Sequence, residues 1–411
     1  MTELVVTGRC SARGTLRVPG DKSISHRALL VAALAEGTST VRGLTTGEDV
    51  AHTRAALEAM GMVVEGDQVA GGDLHEPDHV LNVGNSGTGM RLLAGWCAAR
   101  PWLTVLQGDA SVARRPMDRV VGPLRQMGAS IDGRADGHYP PLVIRGGDLK
   151  GIDYTLPVPS GQVKGAVLLA GVGAEGETVV REPEPVRAHT EELLALAGAE
   201  VRVAPGQVSV RPSRLRPFVL DVPGDPSQAA FWVVAACITP GSDVVIEDVY
   251  LGPGRRGFLD VLLRMGADLE VRGSRLRARA SVLRATEVRG REVSGVIDEI
   301  PVLAVAAALA EGTTTFADAA ELKVKESDRV ATTVALLSAL GARAESRPDG
   351  IVVHGGRPLR GGEVDAAGDH RIAMAAAVAG MAAVGETTVH GWEAVATSYP
   401  GFEGVVASCP S

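Results

Sequence analysis

The sequence predicts an α/β protein, with some α+β character, built from two similar domains of three repeat units each. Three observations predict it. An Ala-rich helical stretch runs into a Gly or Pro and then a β-like run six times: at 32–41, 94–105, 168–180, 233–246, 306–316 and 379–389. Five further amphipathic helices close on Gly61, Gly128, Gly198, Gly266 or Gly341, each suited to the positive φ of a helix C′ position. Self-similarity at a fixed period, here about 68 residues, signals a repeat architecture. Finally, VPGD occurs at 18–21 and again at 222–225, three periods apart. The two turns read as crossover points, giving one domain over 20–223 and a second over 1–19 and 224–411 that takes in the opening strand near 3–7. The cleft between two such halves is the expected place for a polar small-molecule site.

Taken in order, the opening strand is followed by a strand at TLRV and then by PGDKSISHRALLVAALA. This junction sets Lys22, Ser23, Ser25 and Arg27 at the start of an apolar helix, where free N–H groups and the helix dipole favour an anion. It is not a Walker A loop, because GxxxxGK[ST] is absent. One period later LNVGNSGTGMRLLAG repeats the design, with Asn85, Gly87 and Thr88 leading into a helix that carries Arg91 in its first turn. Glycines there let backbone donors approach a ligand oxygen closely. GDASVARRPM then presents Arg114 and Arg115, and a guanidinium can hold a carboxylate or phosphate through two parallel bonds. PSGQVKGAVLLAG places Ser160, Gln162 and Lys164 at a helix start, a set suited to a polyhydroxylated ring. REPEPVRAHTEELL adds Arg187 ahead of another helix.

In the second half, VIDEIPVLAVAAALA puts Asp298 before an almost wholly apolar helix. It either caps that helix or serves as a general base, and the residues alone leave both open. KVKESDRV sets Lys325 and Arg329 four apart, on one face if helical, with Glu326 to the side. GDHRIAMAAAV brings Arg371 to the start of a last apolar helix.

Bulk composition narrows the function. The formal charge of −8 argues against a general nucleic-acid or anionic-membrane binder, so basic groups for an anionic ligand must be local. Only five of forty-one basic side chains are lysines, and four of them lie inside the segments just described. Ammonium and guanidinium are not interchangeable where geometry matters, so Lys22 and Lys325 mark chemistry. Cys10, Cys97, Cys237 and Cys409 show no metal spacing. Cys97 and Cys237 read as core thiols, and a reducing, cytoplasmic setting is expected. The N-terminus lacks the pattern of a signal peptide and no apolar run is long enough to span a membrane.

The segments GDKSISHRALL, GNSGTGMRLL, RPM, SGQVK, RAHTE, DEIP, KVKESDR, GDHRIAM and TSYPGF, in this order over the whole chain, resemble the 5-enolpyruvylshikimate-3-phosphate synthase family of enolpyruvyl transferases. The resemblance implies a fold of two domains, each of three βαβαββ units in an inside-out α/β barrel, with the active site in the interdomain cleft. It implies that Lys22, Ser23, Arg27, Ser160, Gln162, Arg187, Asp298 and Lys325 hold shikimate 3-phosphate. Lys22, Asn85, Gly87, Arg115, Gln162, Arg329 and Arg371 would surround phosphoenolpyruvate. Asp298 would take the proton of the 5-hydroxyl and Glu326 would protonate the vinyl carbon, with Lys22 also catalytic. A monomer acting on these two small molecules is expected, with no cofactor, metal or nucleic acid.

Two other functions are weighed. The related UDP-N-acetylglucosamine enolpyruvyl transferases carry a reactive Cys in the loop equivalent to 108–117, and GDASVARRPM has none. A non-catalytic anion-binding paralogue could dispense with Asp298 and Glu326, and both are present. The chain departs from the family at Val186, Gly161, Pro226, Gln228 and Thr397, differences that bear on affinity and on glyphosate response more than on reaction type.

Overall fold

A computed structural model describes residues 2–409. The chain divides into two compact units: a middle unit, Gly20–Val222, and a flanking unit formed by the chain on either side of it.

The repeat is plainest in the centre of the middle unit. Strand Leu81–Asn82, helix Gly87–Ala98, strand Leu103–Gln107, helix Asp118–Gln126 and strands Ser130–Gly133 and Tyr139–Arg145 follow one another. The first two strands pair in parallel (Leu81 opposite Leu106), and the last strand inserts antiparallel beside the second (Leu103 opposite Arg145). The segment from Asp153 to Val210 repeats this order and pairing. In the remaining sheet the opening strand comes from the far end of the unit: Val219–Asp221 pairs in parallel with Thr38–Arg42, Val219 opposite Thr40. Parallel strands need a crossover, and where both strands belong to one continuous repeat its first helix supplies it.

The flanking unit is closed by the same device. Strand Arg13–Leu16 opens the sheet of Asp243–Ile246, Asp268–Arg272 and Arg275–Arg279, with Asp243 opposite Arg13. The segment from Glu287 to His354 is a complete repeat. The last sheet, Glu363–Asp365 with Glu386–His390, is completed by Glu3–Thr7, antiparallel with Val5 opposite Thr388.

Burial explains this layout. The six crossover helices, such as Ile300–Leu309 and His370–Ala382, are buried along most of their length, which their Ala-rich apolar sequences permit. Strands beside them alternate, as in Thr38–Arg42, so each sheet covers the helices with one face and meets solvent with the other. In five of the six repeats the second helix ends near one of the five glycines predicted to take positive φ, from 80° at Gly341 to 110° at Gly128. Cys97 and Cys237 are core thiols, and burial pushes both up to about 12. Among the described residues, no helix is long and apolar enough to cross a membrane.

Candidate active site

In the middle unit the candidate residues gather at the starts of the crossover helices. Asp21 caps helix Lys22–Leu34 by accepting from the Ile24 N–H, and Ser86 and Ser160 cap Gly87–Ala98 and Gly161–Gly171 in the same way. First-turn N–H groups not taken by a cap can meet an incoming anion, although that of Gly87 already donates to the Asn85 carbonyl at 3.1 Å. Lys22 follows its cap and pairs through Nζ with Asp49 Oδ2 at 2.8 Å. Ser23 Oγ accepts from Arg187 Nη1 at 3.3 Å, which joins two candidate ligands 164 positions apart in sequence.

Arg27 lies deeper. It is 2% exposed and donates to the Ser23 and Gly161 carbonyls and to Thr190 Oγ1, at 2.8, 2.9 and 2.7 Å. It therefore ties the starts of three helices together from below. Beside it His26 is buried between Thr53 Oγ1 and Ser86 Oγ. Burial, reinforced by the Lys22 and Arg27 cations, pushes its pKa well below the ordinary imidazole value.

A second cluster surrounds Gly87. Arg115 donates to Asn85 Oδ1 at 2.8 Å and to Ser111 Oγ at 3.1 Å, and Asn85 in turn donates to Asp109. Arg91 donates to Gln162 Oε1 at 2.6 Å, and Gln162 donates to Thr88 Oγ1. A Cβ at position 87 would lie 2.6 Å from Arg115 Nη1 and 3.3 Å from Arg91 Nη1. Only glycine lets both guanidinium groups approach this backbone so closely.

In the flanking unit one arginine organises the rest. Arg329 is 1% exposed; its Nε meets Asp369 Oδ2 at 2.8 Å, its Nη2 meets Glu326 Oε2 at 2.5 Å, and its Nη1 lies 3.4 Å from Asp298 Oδ1. Burial opposes this cation, but the carboxylates of Asp369, Glu326 and Asp298 more than reverse the effect, so Arg329 holds its proton above the ordinary range. Lys325 Nζ reaches the same Asp298 oxygen at 3.4 Å. Asp369 also accepts from Ser327 and caps helix His370–Ala382 through the Arg371 N–H. Arg371 Nη1 is buried without a hydrogen-bond partner among the described residues. Two carboxylates, a shared guanidinium and an open cationic donor can together move protons beside a bound anion.

The family profile of EPSP synthase (3-phosphoshikimate 1-carboxyvinyltransferase) matches residues 6–406. The chain belongs to the EPSP synthase family. A 3-phosphoshikimate 1-carboxyvinyltransferase of Brevibacillus brevis is 48% identical over 407 residues, covering 95% of this chain and 96% of that one. The Gloeobacter violaceus protein of the same name is 49% identical over 408 residues, covering 95% and 94%. Among solved structures, the EPSP synthase of Acinetobacter baumannii superposes with a TM-score of 0.85 at 41% identity, covering 99% of this chain and 98% of that one. The enolpyruvyl transferase NikO of Streptomyces tendae, at 19% identity and a TM-score of 0.81, shares the fold. The α/β fold class expected from the repeats is that of the EPSP synthases.

Within this chain three local expectations change. Asp298 does not cap the apolar helix: Ile300–Leu309 starts after Glu299 with no side-chain cap, and Asp298 turns to Lys325 and Arg329. Lys325 and Arg329 do not share a helical face, because Lys325 is extended and the helix begins at Arg329; they converge on Asp298 all the same. Lys164 does not face a ligand. As the fourth helical residue it turns inward, 1% exposed, onto Glu182 and Glu191. Asp49, Thr190 and Ser327 were not legible as site neighbours, since each lies outside the segment it supports.

Proposed function

We propose that the chain transfers the carboxyvinyl group of phosphoenolpyruvate to the 5-hydroxyl of shikimate 3-phosphate, releasing phosphate. The observation that carries this reading is the pinning of two carboxylates, Asp298 and Glu326, by the buried Arg329, whose anchor Asp369 also caps helix His370–Ala382 through the Arg371 N–H. An anion-binding protein has no use for that pair, whereas addition followed by elimination needs two proton-transfer groups.

In the forward step Asp298 removes the 5-hydroxyl proton while Glu326 delivers a proton to the vinyl CH2, and the oxygen bonds to C2 of phosphoenolpyruvate. In the second step Glu326 takes a proton back from the new methyl group, the C2–phosphate oxygen bond breaks, and the Asp298 proton leaves with phosphate. Lys22, Ser23, Ser160, Gln162, Arg187 and Lys325 hold shikimate 3-phosphate, with Arg27 bracing them from beneath. Lys22, Asn85, Gly87, Arg115, Gln162 and Arg371 hold phosphoenolpyruvate, joined by Arg329 once Glu326 turns to the vinyl carbon. Two anions repel, and these cations offset that repulsion and orient the reacting atoms. The reading requires groups from both units to act on one pair of ligands. It carries with it a cytoplasmic monomer with no cofactor and no nucleic-acid partner.

Phosphate release from phosphoenolpyruvate plus shikimate 3-phosphate tests it, with UDP-N-acetylglucosamine as the alternative acceptor. Release with the first acceptor alone is expected. Release only with the second assigns the chain to the sister reaction, and release with neither removes the catalytic reading.

A further inference from the structure

The buried Lys164 lies next to the site but takes no part in the chemistry just described. Its Nζ meets Glu191 Oε1 at 2.6 Å and Glu182 Oε1 at 3.0 Å, and all three side chains are at least nine-tenths buried. The two acids bracket the segment that carries Arg187. Glu182 uses its second oxygen to accept from the Val186 N–H at 3.2 Å, one residue before Arg187. Glu191 lies in the first turn of helix His189–Leu196, four residues beyond Arg187. Lys164 itself belongs to helix Gly161–Gly171, which starts at Ser160 and Gln162.

One ammonium thus fastens both ends of the Arg187 segment to the helix that carries two other acceptor ligands. Arg27 ties the same two helix starts independently, through Gly161 and Thr190. Two carboxylates against one lysine leave the cluster one negative charge in excess, and burial pushes the Glu191 carboxyl up against the pull of Lys164. Replacing such a cluster with apolar side chains is often neutral or stabilising, so stability alone does not account for it.

We infer that Lys164 is a positioning residue for the acceptor: by clamping Glu182 and Glu191 it sets the reach of Arg187 towards the phosphate of shikimate 3-phosphate. This rests on the reading of Arg187 as a ligand of that phosphate. The clamp acts on acceptor affinity; Gln162, on the same helix and assigned to both substrates, is held separately by Arg91 and Thr88.

The test compares the full-length protein with Lys164→Met and with Lys164→Met/Glu191→Leu. The single variant leaves buried carboxylates without their cation and melts at a lower temperature. The double variant removes one of the two stranded charges, leaving Glu182 with its bond from the Val186 N–H, and recovers part of that loss. Calorimetric titration with shikimate 3-phosphate should show affinity weakened roughly 10- to 100-fold in both, the size of a lost charged contact. Turnover should show the KM for phosphoenolpyruvate nearly unchanged. A double variant that binds shikimate 3-phosphate like the parent overturns the inference and leaves Lys164 a purely structural ion. A parent protein that binds no shikimate 3-phosphate overturns the underlying reading of Arg187 and this inference with it.

Discussion

The guanidinium of Arg329 touches both candidate proton-transfer groups and is itself anchored by Asp369. Asp298 and Glu326 therefore start from fixed positions, and each is expected to be worth a general acid–base contribution. Asp298→Ala and Glu326→Ala should each lower kcat by roughly 10²–10⁴-fold; turnover near that of the parent would remove the assigned roles. Gly87→Ala makes a different prediction. The backbone there is helical and accepts alanine, but the new Cβ would displace Arg115 Nη1. The KM for phosphoenolpyruvate should rise roughly tenfold or more, as for a weakened charged hydrogen bond, with no loss of melting temperature. An unchanged KM would show that Arg115 is not held against this ligand. Residue roles were legible where neighbours in sequence are also neighbours in the fold, as at Asn85 and Gly87. They were not legible for Lys164, whose partners lie 18 and 27 positions away.

At the scale of elements, the helix starts and ends were the readable part. Asp or Ser caps and C′ glycines are local requirements, so Asp21, Ser160, Gly128 and Gly341 announce their helices. The strands near 3–7 and at TLRV were readable, but the opening strands Leu81–Asn82 and Glu287–Val288 were not, because they are two residues long and hold no measurable period. The cap at Asp369 has a second duty as the partner of Arg329. Asp369→Ala should cost about 3–5 kcal/mol in denaturant unfolding, the range for breaking a buried ion pair, beyond the cost of about 1 kcal/mol for a cap alone. A cost confined to the cap value would mean that Arg329 is adequately held by Glu326 and Asp298. His26, wedged between elements, predicts a pH effect. Its folded pKa lies below the unfolded value of about 6.5, so its contribution is fully present above that pH. As pH falls below it, the unfolded imidazole takes up a proton that the folded one refuses, and stability declines by up to about 1.4 kcal/mol per pH unit. His26→Gln should flatten the curve by that amount; parallel curves would show that His26 protonates in the folded state.

At the scale of the whole molecule, repetition was visible in the sequence, and the VPGD pair assigned the strand near 3–7 to the second half, but the individual strand pairings that close each unit were not visible. The period and the VPGD pair point to repeated units. That Val219–Asp221 returns to Thr38–Arg42, and that Arg13–Leu16 and Glu3–Thr7 complete sheets built mostly from the far end of the chain, is non-local pairing with no local signature. Closure matters for function, because it brings each crossover helix start into a set of three within its own unit, where short polar segments scattered along the chain can cooperate. The account rests on protonation of the vinyl carbon followed by its reversal, and solvent isotope reports on this directly. With phosphoenolpyruvate and shikimate 3-phosphate in D2O, the carboxyvinyl ether isolated after turnover should carry deuterium in its vinyl CH2 by mass spectrometry. Product formed at the normal rate with no deuterium at that carbon would contradict addition–elimination through Glu326.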